Sequence, residues 1–168
     1  MKSESIRGDA LLDSVDKKLI EILSQNARAT ASEIAPEVNL SVPAINKRIS
    51  RLRKNGTIRA FTTVVDGEKA GKPITTFILV TLQQASAADK LLGYAHMDPD
   101  VLECYAVTGE YDYILKVCAS DVKSLEKKLK QLKQQRGVVK SHTLFCLMEN
   151  KFQASVLPDE AVVEKESE

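Results

Sequence analysis

The 168-residue sequence predicts an α+β chain of two units: a three-helix N-terminal unit and a four-stranded sheet bearing two helices. Three observations predict this. Apolar residues repeat at helical spacing through residues 13–54, four β-rich runs lie between 75 and 148, and the two halves differ in charge. Residues 1–60 hold eleven Lys/Arg against seven Asp/Glu, whereas residues 61–168 hold thirteen against sixteen, under an overall charge of only +1. Hydrophobic residues make up 43% and charged residues 28%, enough apolar material for packed cores. The longest apolar runs fall far short of a bilayer span, and the N-terminal decapeptide lacks the apolar centre of a signal peptide, which predicts a cytoplasmic protein without a membrane partner.

The first helix is predicted over residues 13–25, with Val15, Leu19, Ile22 and Leu23 on one face, Asp13 as its cap and Asp16 in its first turn. A second begins near Thr30, which stands at capping-box spacing from Glu33. Pro36 falls inside it and removes a helical hydrogen bond, so this helix is expected to be short or to start irregularly. Asn39 suits a left-handed turn. The third helix opens on Ser41, carries Pro43 in its first turn and stops at Gly56. Val42, Ile45, Ile49 and Leu52 form its expected buried stripe, and Asn46, Lys47, Arg48, Arg51 and Lys54 its polar side. Residues 41–60 contain six basic residues and no acid. Residues 58–65 read as one or two short strands, a wing or linker.

A short helix, a tight turn and a capped basic helix form the layout of a helix-turn-helix, whose last helix fits the DNA major groove. Base-reading candidates are Ser41, Pro43, Ala44 and Lys47, with Asn46 or Arg48; phosphate-holding candidates are Arg51, Arg53 and Lys54. The bland alternative, a solvated basic face, is weakened by the absence of any acid in the block.

In the second half, residues 75–82 predict a strand apolar on both faces, 86–97 a helix burying Leu91 and Leu92, and 98–100 a turn. Residues 101–107 and 113–119 predict a hairpin, and Asp121 caps a helix with Val122, Leu125, Leu129 and Leu132 on its buried face. Residues 138–148 predict the last strand. The order βαββαβ is the ferredoxin-like arrangement. Two helices cover one face of such a sheet, so the apolar second face calls for another layer, and a second copy of the chain supplies it: a homodimer. The expected boundaries are 11–61 for the winged helix-turn-helix, 62–74 for a linker strand, 75–150 for the ferredoxin-like domain and 151–168 for a C-terminal extension ending in a partly disordered acidic tail.

Catalysis is not expected. Cys104, Cys118 and Cys146 are scattered and read as small buried hydrophobes. His96 and His142 have no partners at metal-ligand spacing, and no nucleophile–base pair or phosphate-cradling glycine loop is present; no metal or cofactor is expected.

The segments LDSVDKKLIEIL, SEIAPEVNLSVPAINKRISRLRKNGTIRAFTTVVD and VTGEYDYILKV, in order over residues 11–150, resemble the Lrp/AsnC (leucine-responsive, feast-famine) family of transcription regulators. The resemblance implies that residues 41–54 enter the major groove of a pseudo-palindromic operator in double-stranded DNA. It implies an amino-acid effector, control of amino-acid metabolism genes, a RAM-type second domain, and dimers that assemble into tetramers or octamers. It also points to the loop Gly109-Glu110-Tyr111-Asp112, where the family usually has Asp second; we expect this loop to form an effector site with His142, Thr143 and Leu144 of the last strand. Asp112 matches the position linked to effector response. The competing reading of that loop is a tight hairpin turn with a structural Asp. The competing reading of the whole is an amino-acid-sensing oligomeric module with no DNA role of its own; an RNA-binding module would need exposed aromatics on the central strands, which here are mainly aliphatic.

Overall fold

The computed structural model describes residues 12–159 and divides the chain into two compact units, one up to Val64 joined by the segment from Phe152, the other Val65–Lys151.

The N-terminal unit has three helices: α1 (Ser14–Gln25), α2 (Ala31–Val38) and α3 (Val42–Lys54). Asp13 caps α1 through the Asp16 N–H at 2.7 Å. Thr30 and Glu33 close a full capping box on α2, whose start is therefore regular. The cost of Pro36 shows instead in length: α2 has eight residues and ends at Asn39, which takes φ 52°. Leu19, Leu23, Ile34 and Ile45 form the core, flanked by Val15, Ile22, Val38, Leu40, Ile49 and Ile58. Gly56, at φ 81°, ends α3, and the chain folds back so that the Ile58 N–H reaches the Leu52 carbonyl at 2.8 Å.

Two expectations fail here. Val42 is exposed, not part of the buried stripe, because a residue at the first helical position leans past the helix end and finds no element to cover it. Residues 58–65 and the expected linker strand 62–74 form no strand before Ile74: β propensity alone does not close a ladder.

The second unit is a four-stranded antiparallel sheet, β1 (Ile74–Leu82), β2 (Val101–Ala106), β3 (Tyr113–Ala119) and β4 (Val138–Phe145), in the order β2-β3-β1-β4. Helices α4 (Ala88–Met97) and α5 (Val122–Lys133) complete the βαββαβ order, the ferredoxin-like arrangement. Ile78, Val80, Leu115 and Val117 pack from the sheet against Leu91, Ala95 and Leu132 from the helices. Leu92 is half-buried, and Val122 is exposed for the same reason as Val42. Strand β4 ends at Phe145, three residues short of expectation. Gly137 fits because a Cβ there would stand 2.2 Å from the Ala87 methyl.

Cys104 lies at the edge of this core, where burial pushes its thiol pKa up, and all three cysteines are free and half-buried. The two-faced reading of β1 holds. Ile78 pairs with Leu115 under the helices, while Phe77 pairs with Lys116 and Leu144, and Leu79 with Ile114 and His142, on the face that the helices leave open.

At the α4–β2 turn, Lys128 lies between Asp98 and Asp100, at 2.8 Å from each, and Lys72 reaches Asp100 as well. These lysines hold the Asp100 carboxyl below its ordinary value, while burial followed by the Asp98 charge pushes Tyr94 up to about 12. A carboxyl depressed on folding stabilises the native state above about pH 4 and stops doing so as pH falls through its folded value. Thermal melts from pH 6 to pH 2 should therefore show wild type losing stability more steeply than Asp100→Asn below about pH 4. Parallel profiles would show that the two lysines add nothing there.

Candidate DNA interface and effector loop

Helix α3 is gripped from α1. Arg48 donates to Asp13 and, at 2.9 Å, to Asp16; Arg51 donates to the other oxygen of Asp16. Asp16 is fully buried, so its charge is compensated entirely by α3. Burial works to raise the Asp13 pKa, but the hydrogen bonds from Arg48 and the Asp16 N–H outweigh it and hold the carboxyl below its ordinary range. Asp13 in turn heads the influences that raise the Arg48 pKa. On the other flank of α3, the Arg53 guanidinium lies 5.7 Å from the centre of the Phe61 ring.

At about 100° per residue, Pro43, Lys47, Ser50 and Lys54 lie within about 30° of the direction opposite Ile45 and Leu52. All four are exposed. This outward face carries two cations and no acid. Asn46 and Arg53 flank it on the Phe61 side and border a cavity of about 580 Å³ with Arg59. Ala44 and Arg51 flank the other side. Ser41 is the α3 cap, its hydroxyl accepting the Ala44 N–H at 3.4 Å.

The six-cation block is thus divided. Arg48 and Arg51 are engaged by acids from a segment about thirty residues earlier, a pairing that no local pattern reveals. Ser50, absent from the sequence-derived set, sits on the outward face; the helical repeat alone would have placed it there.

In the second unit, Gly109–Asp112 link β2 to β3. Asp112 is built into the sheet end: its carboxylate accepts the Leu82 N–H at 2.7 Å, its N–H donates to the Val80 carbonyl and its carbonyl accepts the Val107 N–H. Glu110 pairs with Lys140 at 2.9 Å in an exposed contact, and Glu110 is the first cause raising the Lys140 pKa. Tyr111 lies 6.3 Å from the His142 ring and 5.4 Å from the Lys140 ammonium. His142 and Leu144 stand on the open face beside this cluster. Thr143 does not join them: paired with the buried Ile78, it belongs to the helix-covered face by strand alternation. Lys140 was missed by sequence reading because it lies thirty residues from its partner.

Residues 12–59 match the winged helix-turn-helix DNA-binding family and residues 75–156 the Lrp/AsnC ligand binding domain. The HTH-type transcriptional regulator FL11 of Pyrococcus furiosus is 35% identical over 144 residues, covering 84% of this chain and 93% of that protein. The chain belongs to the Lrp/AsnC family. It is a DNA-binding transcriptional regulator. An HTH-type regulator of Mycobacterium tuberculosis is 34% identical, covering 81% of this chain and 92% of its own. Among solved structures, a transcriptional regulator from Neisseria meningitidis in complex with L-methionine superposes with a TM-score of 0.84 at 28% identity, covering 90% and 99% of the two chains. The feast or famine regulatory protein of M. tuberculosis, also complexed with L-methionine, has a TM-score of 0.81 at 27% identity, covering 88% and 99%. Among the described residues, no helix is long and apolar enough to cross a membrane.

Asp112→Asn keeps an acceptor for the Leu82 N–H, and Asp112→Ala does not. The alanine variant should lose about 1 kcal/mol of stability, and the asparagine variant much less, in chemical denaturation. Equal losses would mean that the Leu82 contact carries none of the effect.

Proposed function

We propose that this regulator reads a pseudo-palindromic duplex through the outward face of α3 and answers to an amino-acid effector bound near the Gly109–Asp112 loop. The observation that carries the first part is the acid-free outward face, fixed against α1 by a buried carboxylate. Lys47, near the helix N-terminus with Pro43 and Ala44, contacts base edges; Lys54 and Arg53 hold phosphate; Asn46, Ser50 and Ser41 lie within reach of the same groove. Arg48 orients the helix, and Arg51 shares that task.

The second part draws support from the L-methionine complexes of the Neisseria and Mycobacterium proteins and from the chemistry of the loop. A free amino acid needs an anion for its ammonium and a cation or N–H groups for its carboxylate. Glu110 and Lys140 offer both, and their exposed ion pair costs little to open. Asp112, with one oxygen already taken, shapes the loop; Tyr111, His142 and Leu144 supply the neighbouring surface. The targets are genes of amino-acid metabolism and transport, a reading supported by one relative from Zymomonas mobilis called glutamate uptake regulatory protein. The chain acts in the cytoplasm, without catalysis.

The open sheet face binds a second copy. Phe77, Leu79, Ile114 and Leu144 lie on it, with Tyr105 at 56% and Leu144 at 47% exposure, more apolar surface than a sheet leaves to water without a partner layer. The two-fold dimer supplies two α3 helices for two half-sites, and further assembly into tetramers or octamers builds on it.

A thermal-shift screen against the twenty amino acids at millimolar concentration tests the effector reading. At a hundred times its dissociation constant, a ligand adds about 2.7 kcal/mol to the native state. We expect one or a few hits whose shift disappears in Lys140→Ala. No hit, or hits indifferent to Lys140, would overturn the site.

A further inference from the structure

We propose that Asp16 is a specificity-positioning residue: by engaging Arg48 and Arg51 it fixes the roll of α3 and withholds both guanidiniums from phosphate.

Three observations carry this. Asp16 is wholly buried, and each of its two oxygens takes a guanidinium from α3. Asp13, the cap of α1, takes a second donation from Arg48, so α1 begins and α3 is held at one place. Projected along α3, Arg48 and Arg51 lie on the flank facing α1, about 100° and about 40° from Lys47 on the outward face; Arg51 keeps a half-exposed side chain, but its guanidinium is turned to Asp16. A rotation of α3 that brought these guanidiniums to a DNA backbone would strip a buried carboxylate of its partners, which the low-dielectric interior resists strongly.

Two consequences follow. Phosphate contacts are sequence-blind, so removing two cations from them lowers affinity for all duplexes and leaves a larger share of binding to base contacts. Bidentate base readout needs a helix held to one roll angle, and Asp16 holds it. The sequence counts six cations in residues 41–60; the structure leaves Lys47, Arg53, Lys54 and Arg59 for DNA. This inference rests on the reading of Pro43, Lys47, Ser50 and Lys54 as the DNA face.

The test uses the full chain, a duplex selected by wild type from a random pool, and a scrambled duplex of equal length, titrated from 50 to 300 mM salt. In Asp16→Asn, which keeps the side-chain size, Arg51 loses its carboxylate. We expect the slope of log affinity against log salt on the scrambled duplex to steepen by about one, the increment of one added phosphate contact. The ratio of selected to scrambled affinity should fall by about tenfold, the effect of one mispositioned base contact. A folded Asp16→Asn with wild-type slope and ratio would overturn the proposal. Should that variant fail to fold, Arg51→Gln decides: the scrambled-duplex slope should stay at the wild-type value while the ratio falls, and a slope shallower by about one would make Arg51 a phosphate ligand and sink the idea. Lys54→Ala checks the underlying face separately. A shallower slope supports it, whereas an unchanged slope beside an intact Asp16→Asn effect would reject the face and keep the clamp.

Discussion

A buried carboxylate in a small helical unit is the constraint around which the DNA-reading half of this regulator is arranged. Asp16 has no water to solvate it, and its charge is tolerable only because two guanidiniums meet it. Apolar packing of Ile45 and Leu52 would by itself allow α3 some roll and slide. The ion cluster removes that freedom, and the Arg53–Phe61 contact steadies the opposite flank. The remaining outward residues are the ones a polyanion can meet. In this chain the seating of α3 on α1 and the proposed set of DNA-facing residues draw on one arrangement of charges.

The second unit is organised by a different constraint. A four-stranded sheet with two helices has one covered face, and this one carries apolar side chains on both. The covered face makes the core; the open face leaves apolar side chains that the two helices do not cover. The Gly109–Asp112 loop sits at the end of this sheet, tied to β1 through Asp112, so the effector reading and the dimer reading involve adjacent parts of the same surface. A ligand held between Glu110 and Lys140 would bear on strand β4, which contributes His142 and Leu144 to the open face.

Much of this was legible in the sequence, and the limits have physical causes. Caps were readable because they are local: Asp13, Thr30, Ser41 and Asp121 each satisfy backbone N–H groups within three residues. The βαββαβ element order followed from the alternation of apolar runs along the chain. Long-range polar pairing was not readable, which is why the contacts of Arg48 and Arg51 with Asp13 and Asp16, and of Lys140 with Glu110, did not show in the sequence. Val42 and Val122 were misplaced because helical periodicity does not register that a first-turn residue has no neighbour. The segment 58–65 has the composition of a strand, but composition does not supply a pairing partner, and none forms. Thr143 was grouped with His142 and Leu144 by adjacency, and strand alternation separates them.

The most direct test of the account is selection of binding sites by the full chain from a random duplex pool, repeated with Lys47→Ala. The account predicts an enriched site of two inverted half-sites whose centres lie about one helical turn, or a multiple of it, apart. The variant should lose preference at one position in each half-site while still binding. Failure of wild type to enrich any sequence, or an identical motif from Lys47→Ala, would contradict the claim that the outward face of α3 reads DNA.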